Sequence, residues 1–169
     1  MELALAAGDA PAFESAVRRL KAETAVNPVE TALRAIRGWH ELRRPSLRDG
    51  AIVEFLRFHG PDERALQALG ALAVELDLPL VLVRAAQEAE RRRFNPFAFQ
   101  VDETELALRR GDLAEARRRL PLWENTLPEL PEAQRDVPEL FARLVRAAGP
   151  DGDAQSAALT AHLLRCGGG

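Results

Sequence analysis

The chain is short of the residues on which most site chemistry rests. It has one cysteine, Cys166, so no internal disulfide framework is available and a reducing compartment suits it. Its three histidines, His40, His59 and His162, form no HxxxH or HExxH pattern, and there is no CxxC. No spacing therefore gathers the three or four ligands of a zinc-type site, and no metal or other cofactor is expected. The glycines are isolated stops, so no phosphate-cradling loop is present. Lysine is almost absent: of 23 basic residues only Lys21 is not arginine, a bias that reads as GC-rich, bacterial coding. No apolar run is long enough to span a membrane, because Glu75, Asp77 and Pro79 interrupt the longest one. There is no charged-then-apolar leader, and a cytoplasmic location is expected. The net charge of -3 gives no bulk attraction to nucleic acid or anionic lipid.

What is present is helical. A hydrophobic content of 47% with 29% charged residues argues for a packed core rather than disorder. A length of 169 residues fits one domain, expected over 1–166, with 167–169 as a flexible glycine tail. The centre is 61–93, two helices around a tight turn at Leu76-Asp77-Leu78. The first is apolar nearly all round and is expected to be covered on several sides. In the second, Asp77 is expected to cap and Pro79 to sit in the first turn, where no intrahelical donor is lost.

Prolines, glycines and Asx residues divide the rest. Asp9 caps a helix over 10–25. Asn27-Pro28 opens a third, to about Arg44, with Val29, Ala32, Leu33, Ile36 and Trp39 as its apolar stripe. Ser46 is expected to cap 47–59. Asn95-Pro96 opens 96–110, with Phe97, Val101, Thr104 and Leu108 on one face. Gly111-Asp112 stops that helix and caps 113–120. Pro121 predicts irregular or broken helix over 121–135. Two further helices are expected, from Asp136 to about Ala148 and from Asp151 or Asp153 to about Cys166.

Pro28, Pro61 and Pro96 open successive helix pairs at intervals of 33 and 35 residues. Gly111 to Ala116 reads GDLAEA, and Ala16, Leu20 and Pro28 are echoed by Ala116, Leu120 and Pro128. These words and this period resemble the tetratricopeptide repeat. Gln100, Glu103 and Thr104 depart from the family's first-helix pattern, as does Pro121 within the second helix. The resemblance implies an all-α chain of about nine or ten helices, stacked as antiparallel hairpins in a tetratricopeptide-like (TPR-like) right-handed array. It also implies a concave binding face and a place in a bacterial regulatory protein.

Candidate residues follow from that picture. Arg34, Arg37, Gln67 and Gln100 are polar positions on the first helices of the pairs, where a protein or peptide partner would dock. Trp123, in the proline-rich stretch, is a candidate exposed anchor, since tryptophan is enriched in interface hot spots. The arginine runs Arg91-Arg92-Arg93 and Arg117-Arg118-Arg119 would serve a nucleic-acid-associated regulator if they gathered on one face. Their blander reading is compensation of helix dipoles at last turns. Likewise Glu88/Glu90 and Asp102/Glu103/Glu105 read as solvated helix faces, with an acidic patch as the sharper alternative. The expected function is a non-enzymatic interaction module. The alternatives are the nucleic-acid regulator, and a small-ligand binder or enzyme with a site between helices. A homodimer through the central apolar helices is left open.

Overall fold

The computed structural model describes residues 1–23 and 27–129, with Glu139, Ala142, Val145 and Arg146 beyond them. Among the described residues there are eight α-helices and no strand. They are α1 (Glu2–Ala6), α2 (Ala10–Ala22), α3 (Pro28–Glu41), α4 (Pro45–His59), α5 (Glu63–Glu75), α6 (Pro79–Arg91), α7 (Phe97–Arg109) and α8 (Leu113–Glu124), followed by one 3-10 turn, Leu127–Glu129. The helices expected over 136–148 and 151–166 fall outside the continuously described residues. The chain divides into two compact units, Met1–Phe94 and Asn95–Gly169.

Within each unit, consecutive helices pack as hairpins: α1 with α2, α3 with α4, α5 with α6, and α7 with α8. The reason lies in how the first helix of each pair ends. Gly8, Arg43, Asp77 and Gly111 all adopt left-handed backbone, with φ of 65°, 53°, 53° and 77°. Each is flanked by the same two hydrogen bonds. Around Arg43, its own N–H donates to the His40 carbonyl and the Arg44 N–H to that of Trp39, at 3.0 and 2.9 Å. Around Gly111, its N–H donates to Leu108 and the Asp112 N–H to Ala107, both at 2.9 Å. This is the Schellman termination, which satisfies the orphan carbonyls of a helix end and reverses the chain. These four residues lie 35, 34 and 34 positions apart.

Side-chain oxygens of Asp9, Asn27, Asp62 and Asp112 accept from N–H groups in the first turns of α2, α3, α5 and α8. Two expected caps differ. Asp77 is the reversing residue itself, and Leu78 precedes α6 with no side-chain cap. Ser46 lies inside α4, which starts at Pro45 with Arg44 before it and again no side-chain cap. In both helices proline occupies the first position, where its fixed φ and missing donor suit a helix start.

In the first unit α3 packs against both α2 and α5, and α5 also meets α4. Helix α5 is accordingly covered on several sides: Ala65, Leu66, Leu69, Gly70, Leu72, Ala73 and Val74 are all buried. Phe13 and Trp39 meet edge to face, ring centroids 4.7 Å apart. The Phe13 ring lies directly on the backbone of Gly38, where a Cβ would come within 2.0 Å of its Cζ.

In the second unit, Val101, Leu108, Ala116, Leu120 and Trp123 form a cluster joined by Leu127, Ala142 and Val145. Helix α8 runs through Pro121 to Glu124, correcting the expected break at that proline. An internal proline costs about 3 kcal/mol. Here the turn beyond it is held by Trp123, which is fully buried.

Candidate functional site

A broad open groove of about 730 Å³ lies in the first unit between α1 and α3, with Leu20 of α2 reaching into it. Leu3, Leu5, Leu20 and Leu33 supply apolar lining; Glu2, Glu30, Arg34 and Arg37 supply charge. Leu3 is 89% exposed, so its side chain is open to the groove. Arg34 and Arg37 are one turn apart on α3, which places both on one edge.

Both arginines are held by carboxylates. Arg34 Nη2 donates to Glu30 at 2.5 Å within α3, and Arg37 Nη2 to Glu75 at the end of α5 at 2.6 Å. All four side chains are more than a third exposed, so these pairs contribute a few tenths of a kcal/mol and exchange readily for an incoming carboxylate. Gln67 does not line this groove; its amide donates to Glu63 at 3.3 Å, one turn back on α5. Gln100 lies in the second unit, and its carbonyl accepts from the Thr104 hydroxyl at 2.8 Å.

Trp123 is not the expected surface anchor. It is fully buried, its ring meets Phe97 edge to face, and its indole N–H donates to Thr104 Oγ1 at 3.0 Å. Sequence reading missed this because the anchoring partner sits 19 residues away on α7.

The arginine runs are largely neutralised from within. Arg91 and Arg92 share Glu88, each with a contact of 2.7 Å. Arg118 and Arg119 share Glu115, at 2.7 and 2.5 Å, and Arg119 also reaches Glu103 on α7. The Arg118 and Arg119 guanidiniums hold the Glu115 carboxyl down at about 2, and Arg91 and then Arg92 pull that of Glu88 below the ordinary range. Arg93 is a left-handed terminator after α6, within the first unit. Because α8 continues past Pro121, Arg117 to Arg119 lie mid-helix and not in a last turn, so dipole compensation does not explain them. Arg91–Arg93 belong to the first unit and Arg117–Arg119 to the second.

The acidic group on α7 also differs from the expected solvated face. Asp102 and Glu105 are buried, and Glu105 accepts from Arg109 Nε at 3.0 Å. Among the described residues no cluster of three or more His, Cys, Asp or Glu is arranged to hold a metal ion. Nor is any described helix long and apolar enough to cross a membrane. Cys166 and His162 lie outside the described residues.

In comparison with known proteins, no family model matches the chain, and no curated protein or solved structure gives a significant match.

Proposed function

We propose that this chain is a non-enzymatic protein-interaction module of tetratricopeptide-like design, working in the cytoplasm as part of a regulatory or signalling protein. The observation that carries the reading is the recurrence of one helix-terminating conformation at Gly8, Arg43, Asp77 and Gly111, each between the two helices of a hairpin. A constant interval of 34 or 35 residues is the spacing at which hairpin repeats bury faces that single hairpins leave open. In such arrays the first helices of the pairs line the binding face, and a groove between α1 and α3, the first helices of two pairs, fits that reading.

The groove fits a short peptide segment with an aliphatic side chain and a carboxylate. The leucines would take the first, and Arg34 and Arg37, released from weak exposed pairs, the second. Selecting peptides from a random display library against the whole chain tests this. Enrichment of sequences combining aliphatic and acidic residues is expected; a selection that enriches nothing above background counts against the module. The nucleic-acid reading has less support, since four of its six arginines already share two carboxylates.

A further inference from the structure

A second concavity, of about 390 Å³, sits at the α3–α4 turn on the first unit. It is lined by His40, Glu41, Arg43, Arg44, Pro45 and Arg48. Three guanidiniums around one small hollow face a single lining carboxylate, that of Glu41. Arg48 is the half-buried one of them: its side chain is 19% exposed, its Nε and Nη2 donate to Asp49 Oδ1 at 2.9 and 2.8 Å, and its Nη1 lies 3.4 Å from His40 Nδ1. Arg43 and Arg44 differ from most arginines of the runs on α6 and α8. Among the described residues neither makes an ion pair, whereas Arg91, Arg92, Arg118 and Arg119 each have a carboxylate. Two neighbouring cations with no carboxylate of their own leave charge available to an anion.

The position of Arg43 adds to this. It occupies the left-handed turn position that Gly8 and Gly111 occupy in their own hairpins. Arginine is disfavoured in that conformation relative to glycine. Arg43 nevertheless lines the hollow, and the N-terminal end of α4, which has no side-chain cap, lines it through Arg44 and Pro45.

We propose that this hollow binds the phosphate group of a small phosphomonoester. Guanidiniums match phosphate oxygens in pairs, and a dianion balances Arg43 and Arg44 together. A single cluster of three guanidiniums at one turn suits one phosphate head and not the successive phosphates of a nucleic-acid strand. The site is separate from the groove between α1 and α3, and neither depends on the other.

The test is a titration of the whole isotope-labelled chain with inorganic phosphate, glycerol 3-phosphate or dimethyl phosphate at low, matched ionic strength, followed by amide NMR shifts. Saturable shifts centred on residues 40–48 are expected with the first two ligands and not with the diester, which separates monoester from diester chemistry. Arg43→Gly and Arg44→Gln should each weaken binding by about tenfold or more, the scale of one charge-assisted bond. Arg84→Gln, on exposed surface of α6, should bind as the wild type does. Arg43→Gly keeps the turn its glycine counterparts make, so its melting temperature should equal or exceed that of the wild type, and lost binding cannot be ascribed to unfolding. Absence of saturable shifts in the wild type, or undiminished binding by both variants, overturns the proposal.

Discussion

Gly38 is in the middle of α3 because Phe13 occupies the space a side chain would take. Replacing a mid-helix glycine by alanine ordinarily stabilises by up to about 1 kcal/mol. Here the ring it would meet is fully buried against Trp39 and has no open side to swing toward. Gly38→Ala is therefore expected to destabilise by about 1–3 kcal/mol in urea unfolding, with Phe13→Leu recovering part of the loss. A neutral or stabilised Gly38→Ala would show that the ring does not sit there. Glu115 gives a second test. Its folded carboxyl lies at about 2, below the ordinary 4.5, so its contribution is fully present above 4.5 and is lost as pH falls toward 2. Glu115→Gln should lower the urea midpoint at neutral pH, and the gap from wild type should close across that window. A gap that persists undiminished below it would contradict the assignment. At this scale sequence reading succeeded where a residue's role is local. Trp39 lies on a stripe visible in its own helix, and it is core. It failed where the partner is distant: Trp123, Asp102 and Glu105 are buried by their surroundings in the fold, which no local period announces.

Helix boundaries were legible wherever proline, glycine or an Asx residue acts by its own geometry. The starts at Pro28 and Pro79 and the caps at Asp9, Asn27 and Asp112 follow from such residues. Left-handed turns made by Arg43 and Asp77 were not legible, because neither residue type demands that conformation. They emerge only when the four hairpins are set side by side. The equivalence makes opposite predictions for two substitutions. Arg43→Gly relieves a strained φ and should stabilise by up to about 1 kcal/mol, after the entropy glycine adds to the unfolded chain. Gly111→Ala places a Cβ at φ 77° with open space around it, so backbone strain alone acts, and a loss of about 1–2 kcal/mol is expected. Chemical denaturation of both variants decides the point; equal effects of one sign would contradict the shared turn. Pro121 is the counter-example at this scale. Its intrinsic preference to break a helix yields to the burial of Leu120 and Trp123 on either side of it.

At the scale of the molecule, the interval of about 34 residues was readable from prolines and is carried more regularly by the left-handed turns inside the hairpins, Arg93 being a left-handed turn outside them. The groove was only partly readable. Arg34 and Arg37 come from a face of α3 that the sequence marks as polar, but Leu3 and Leu5 come from a five-residue helix with no such mark. The account turns on that groove as a docking surface. The most direct measurement is the affinity of a library-selected peptide for the wild type, for Leu3→Asp and for Val53→Asp. Leu3 and Val53 are both largely exposed, so neither change disturbs the core, but only Leu3 lines the groove. The account predicts micromolar binding by the wild type and Val53→Asp, and a loss of about tenfold or more for Leu3→Asp, whose charge enters an apolar contact and repels an acidic ligand. Equal affinity for all three proteins would place the peptide elsewhere and contradict the account.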